Sequence, residues 1–205
     1  MMNNLKHTQL AAIAIALLSG TYTLSAHADH VIQVFDNTGK PVPDAVVYFD
    51  NGSIEKTKSA KVDIEQKDKK FIPLVTVVQT GTAISFPNND TVRHQAYSFS
   101  PAKPFELKLY AGKPEAPITF DKPGTVVVGC NIHDQMLAYI QIVDTPYFAK
   151  TDASGKAKIT ILPAGKYSLK TWYYQQMASS PISEQAVVIK DDNSVVVVKL
   201  NYKVN

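Results

Sequence analysis

The chain has 205 residues, with 21 Lys and Arg against 18 Asp and Glu, a formal charge of +3 and a single cysteine. That length suits one large β-domain or two small ones, able to bury a core without staples. The near balance of charge gives no reason to expect nucleic acid or a strongly charged partner.

The chain opens on Met1-Met2-Asn3-Asn4-Leu5-Lys6, with one positive side chain, and runs into the apolar stretch Leu10–Leu18, too short to span a bilayer. Ala26-His27-Ala28 then offers the small-residue pattern of a cleavage site. Residues 1–28 are therefore expected to be a signal peptide removed before Asp29, giving a periplasmic or secreted protein. With no cysteine near that site, no lipid or other membrane anchor is expected.

From Asp29 onward the sequence alternates, or runs in β-branched and aromatic residues, between breaks of Gly, Pro, Asn and Asp. The expected class is all-β. Strands are predicted at Val31–Phe35, Ala45–Phe49, Ala83–Phe86, Phe105–Tyr110, Thr125–Gly129 and Leu137–Val143. Lys156–Ile161 and Tyr167–Trp172 alternate around Pro163-Ala164-Gly165 and suggest a hairpin with one wetted face. Ala186–Ile189 and Val195–Val198 flank Asp191-Asp192-Asn193 as a second hairpin candidate. Tyr167 is a candidate corner tyrosine.

Two distant segments look like halves of one unit. Asp36-x-x-Gly39-Lys40-Pro41-Val42-Pro43-x-Ala45 resembles the opening of a carboxypeptidase-regulatory-like (transthyretin-type) β-sandwich. Thr151-Asp152-x-x-Gly155 with Leu162-Pro163-Ala164-Gly165-x-Tyr167-x-Leu169 resembles its later part. The resemblance implies a small sandwich from residues 29–57 and 145–205, interrupted by an insertion over 58–144.

The chemistry sits in that insertion. An unpaired cysteine in an oxidising compartment is exposed to oxidation, so Cys130 calls for a role. Cys130-Asn131-Ile132-His133-Asp134-Gln135-Met136 sets a thiolate, an imidazole and a thioether on one loop after the strand Thr125–Gly129. His94 supplies a second imidazole, downstream of Asn88-Asn89-Asp90. Two imidazoles and a thiolate with a weak Met match the preference of copper in both oxidation states. Zinc is the chemical competitor, since it takes the same Cys and His groups but gains little from a thioether. A Cys/His nucleophile fits poorly, because neighbours on one loop are badly placed for a proton relay. His30, beside the expected new terminus, reads as a solvated terminal residue.

Residues 60–144 resemble the small blue-copper proteins, the cupredoxins of the plastocyanin, pseudoazurin and amicyanin group. Phe71-Ile72-Pro73, Val77-Val78-x-x-Gly81-Thr82-x-Ile84-x-Phe86-x-Asn88, His94, Phe120-x-x-Pro123-Gly124-Thr125 and Cys130-x2-His133-x2-Met136 occur in that family's order. The last loop looks most like amicyanin, and the whole resembles periplasmic methylamine-utilisation-type plastocyanin-like proteins. The resemblance implies a Greek-key cupredoxin sandwich binding one copper, with His94, Cys130 and His133 as strong ligands and Met136 as the axial one. It also makes Asn88 or Asn89 the amide that ties the first ligand loop to the cysteine sulfur. Gln95 after the first histidine and Ile132 before His133 depart from the family's usual Asn and Pro, which bears on the loop's hydrogen bonding.

The function expected is single-electron transfer between redox protein partners in the periplasm, not catalysis. The apolar rim around the site is expected at Pro87, Ile132 and Leu137. The rival reading is copper binding or delivery, or a structural role in which the second sandwich is the working part. Donor, acceptor and oligomeric state are not legible in the sequence.

Overall fold

A computed structural model describes residues 29–53, 61–114, 116–176, 181–190 and 195–203. The expected signal peptide, the boundary between residues 57 and 58, and the Asp191–Asn193 turn lie outside the described residues. Every helix-or-strand element among the described residues is a strand, and the chain is all-β.

One sandwich is built from both ends of the chain. β1 (His30–Phe35) lies between β14 (Lys156–Ile159) and β17 (Val195–Lys199). The facing sheet runs β13 (Phe148–Lys150), β2 (Val46–Asp50), β15 (Gly165–Trp172) and β16 (Ser183–Ile189). Alternation along these strands sends Ile32, Val34, Val47, Phe49, Tyr167 and Leu169 into one apolar core. The two Asp-x-x-Gly stretches fold alike. Asp36 Oδ1 accepts the backbone N–H groups of Thr38 and Lys40, and Asp152 Oδ1 those of Ser154 and Lys156. The Tyr167 hydroxyl donates to the Pro163 carbonyl at 2.9 Å, the corner contact expected of it.

The intervening stretch makes a second sandwich. One sheet orders β6 (Val75–Gln79), β12 (Leu137–Val143), β11 (Gly124–Gly129), β8 (His94–Ser98) and β9 (Phe105–Tyr110). The other orders β10 (Ile118–Phe120), β7 (Thr82–Ser85) and β3 (Val62–Asp63). Ile84, Phe86, Phe120, Val126, Val128 and Ile140 fill the space between them. A separate hairpin, β4 (Glu65–Lys67) and β5 (Lys70–Ile72), turns through Asp68 and Lys69, both at positive φ as a tight two-residue turn requires.

Both expected late hairpins are overturned. β14 pairs with β1 while β15 pairs with β2 and β16. β16 pairs with β15 while β17 runs parallel to β1. Each pair of consecutive strands is split between the two sheets, which lets both bury their apolar faces against each other.

Candidate metal centre

Strand pairing alone gathers the predicted residues. β11 and β12 are antiparallel with Gly129 opposite Leu137, so the seven residues Cys130–Met136 bridge two neighbouring strands. β8 lies on the other side of β11, antiparallel, with Gly129 opposite Tyr97. His94 begins β8 and Cys130 follows the end of β11, so both reach the same end of the sheet. The loop is closed from within by the Met136 N–H, which donates to the His133 carbonyl at 2.9 Å.

The ligating atoms of His94, Cys130 and His133 lie within 4.8 Å of one another. Cys130 Sγ is 4.0 Å from His94 Nδ1, and the two imidazole rings are 5.0 Å apart at 65°. His94 and Cys130 are buried, at 0% and 4% exposure, and His133 is half-buried. The His133 Nδ1 is a buried nitrogen with no hydrogen-bond partner, which in a folded protein is a cost unless something else takes the lone pair. Met136 is fully buried beside Cys130 in the same apolar cluster.

The His94 ring is held from behind. Its Nε2 is 2.9 Å from Asp90 Oδ2, which directs Nδ1 toward Cys130. The His94 ring and the backbone N–H groups of Lys69 and Thr91 pull the Asp90 carboxyl down to about 2. Burial pushes the Tyr110 hydroxyl up to about 12; the Gln66 amide bonded to it works against that, and the charge of nearby Cys130 with it. Gln66 also donates to the Phe86 carbonyl, so β4 secures the strand end that leads into the His94 loop.

The amide implied for the sulfur goes elsewhere. Asn88 Nδ2 donates both hydrogens to carbonyls, of Val92 at 2.9 Å and Tyr110 at 2.7 Å, and its Oδ1 accepts the Asp90 N–H. Asn89 Nδ2 donates to Glu65 at 2.8 Å. Asn88 therefore pins the loop before His94 through backbone rather than through Cys130. Gln95 donates to Glu106 at 2.8 Å. Of the expected rim, Ile132 and Leu137 are exposed, whereas Pro87 is buried, its carbonyl accepting from the Gln66 N–H. Phe99 and Val127, not among the expected rim residues, are exposed beside Leu137, with Tyr97 and Gly129 lining the same shallow hollow. Their signal was the outward parity of β11 and β8, which needs the sheet order to be read. His30, expected to be solvated, is instead buried at the start of β1 and paired opposite Ile159. The sheet register, not proximity to a terminus, decides its exposure.

No protein-family model matches the sequence, and no curated protein matches it. Among solved structures the chain is similar to a copper-containing nitrite reductase from Thermus scotoductus SA-01. That match has 23% identity and a TM-score of 0.40, over 55% of this chain and 28% of the other. It is similar to a purple cupredoxin from Nitrosopumilus maritimus at 16% identity and a TM-score of 0.33, over 56% of this chain and 98% of the other. It is also similar to the oxidised plastocyanin of Dryopteris crassirhizoma at 19% identity and a TM-score of 0.34, over 41% of this chain and all of the other.

Proposed function

We propose that the protein is an exported single-electron carrier whose residues 58–144 form a cupredoxin-like unit holding one copper. That unit is set into a carboxypeptidase-regulatory-like sandwich of residues 29–57 and 145–205. The observation that carries the reading is the convergence of two imidazoles and one thiol within 4.8 Å, with His133 Nδ1 buried and unpartnered. The donor set fits copper: two nitrogens and a soft sulfur suit both oxidation states, and Met136 is at hand as a weak further donor.

Copper held there supplies one-electron exchange between its two oxidation states. The protein's own part is to hold the donors still. His94 and Cys130 sit at strand ends, Asp90 fixes the His94 ring, and the Met136-to-His133 bond closes the loop, so few groups need to move when charge changes. The apolar cluster around Cys130 excludes water. Burial of two of the three donors favours retention over hand-off, and so the carrier over the delivery reading. Redox protein partners in the periplasm would exchange electrons at the exposed side of the ligand loop.

Copper titration of the purified protein tests this. Wild type takes up one Cu(II) with an intense thiolate-to-copper absorption, and Cys130→Ser loses it. A Cys130→Ser variant that stays coloured, or a wild type that accepts only zinc, overturns the assignment.

A further inference from the structure

His94 is fully buried, and its outward nitrogen does not meet a neutral backbone carbonyl. It meets a carboxylate, Asp90 Oδ2, at 2.9 Å. A carbonyl would suffice to set the tautomer, so the charge is an addition.

The carboxylate is itself clamped. The same Oδ2 accepts the Lys69 N–H at 2.8 Å, and Oδ1 accepts the Thr91 N–H at 2.8 Å. The Asp90 N–H donates to Asn88 Oδ1 at 3.0 Å. Lys69 is the second turn residue of the β4–β5 hairpin, so this short hairpin reaches across to hold Asp90 in place. A clamped anion hydrogen-bonded to a ring whose other nitrogen faces the donor cluster raises the basicity of that nitrogen. It also places a full negative charge one ring away from the cluster, which favours the more highly charged state of a bound cation.

We propose that Asp90 is a positioning and tuning residue: it holds His94 with Nε2–H toward itself and Nδ1 toward Cys130, and it biases bound copper toward Cu(II). This rests on the copper reading above.

Two variants separate the two roles. Asp90→Asn keeps an acceptor oxygen and the size of the side chain but removes the charge. Asp90→Ala removes both. Loss of such a partner costs about 10–100-fold in metal affinity. We expect Asp90→Asn to weaken Cu(II) about tenfold relative to Cu(I), which raises the midpoint by 59 mV for a one-electron couple. The second readout needs no metal. Nitrogen-15 NMR of the His94 ring in copper-free protein should report the Nε2–H tautomer in wild type and in Asp90→Asn, and a mixture in Asp90→Ala. A midpoint in Asp90→Asn equal to that of wild type overturns the tuning role, and an unchanged tautomer in Asp90→Ala overturns the positioning role. If wild type itself takes no copper, the copper reading fails, while the NMR measurement still decides the positioning of His94.

Discussion

Met136 is the one predicted ligand whose contribution can be divided between packing and coordination. Its side chain is fully buried in the cluster that also contains Phe86, Val128, Cys130 and Ala138. Met136→Ala therefore leaves a cavity among side chains that β11 and β12 hold in place. The cost should be about 2–5 kcal/mol, a fall of about 4–20 °C in the melting midpoint for a chain of this length. Met136→Leu keeps the volume and should cost less than about 1.5 kcal/mol. The two variants should thus differ widely in the copper-free protein, measured by thermal and urea unfolding. In the copper-loaded protein they should agree in losing a sulfur donor. The visible spectrum should therefore shift in both, and in Met136→Leu, where an apolar branch of similar volume keeps the site dry, the more highly charged Cu(II) is disfavoured and the midpoint rises. If Met136→Leu matches wild type in spectrum and midpoint, Met136 is core alone and the ligand set has three members.

Three further outcomes are expected. Leu137→Glu, on an exposed position beside Phe99 and Val127, should leave the visible spectrum unchanged. It should slow electron self-exchange about tenfold at low salt, because it brings like charges together, and added salt should restore the rate. NMR line-broadening measures this, and an unaltered rate would move the exit route away from this face. The Tyr110 hydroxyl, raised from 10.0 to about 12, contributes stability that is complete below pH 10 and is lost as pH rises through 12. Urea midpoints should therefore fall between pH 10 and 12, with a shallower fall in Tyr110→Phe; equal slopes for the two proteins would refute the assignment. Gly155→Ala places a Cβ 2.6 Å from the Val34 carbonyl at a φ of +73°, and should cost about 2 kcal/mol or more. It should do so without changing the copper spectrum, because Gly155 belongs to the other sandwich; a spectral change would reveal coupling between the two.

The residues that converge at the site were legible as candidates because Cys130, His133 and Met136 crowd one seven-residue loop, and few other residues compete for the role. β9 and β12 matched their predicted bounds, since each carries a long alternating or β-branched run. What pairs with what was not legible. Alternation in β14, β15 and β16 fixes which side chains face inward, but it carries no information about the neighbouring strand, and chain adjacency is a poor guide in a two-sheet sandwich. The β4–β5 hairpin was missed for a different reason. Glu65-Gln66-Lys67-Asp68-Lys69-Lys70 reads as a charged loop; Phe71 alone of the hairpin's apolar side chains enters the core, and Gln66 and the Asp90 contact hold the rest. Asp90 itself, four residues before His94, was visible as a residue but not as a partner, because only the turn between them closes the distance.

The second sandwich also bears on how still the centre is held. The outer face of β6 and β12 is covered by β2, β13 and β15, with Val46, Tyr48, Val75 and Val143 buried between them and Tyr139 stacked near Trp172 and Tyr174. Lys150 ties the junction, its ammonium donating to the Val75 carbonyl at 3.1 Å and pairing with Asp44 at 2.7 Å. β12 is consequently packed on both faces along most of its length, and it is the strand that follows directly from Met136. A strand buried on both sides has little room to shift, so the loop it anchors is held in place. The outer face of β11 and β8 lies outside this cover, leaving Val127 and Phe99 open next to the ligand loop. The sandwich that stiffens one half of the sheet therefore leaves the other half, with Phe99, Val127 and Leu137, uncovered.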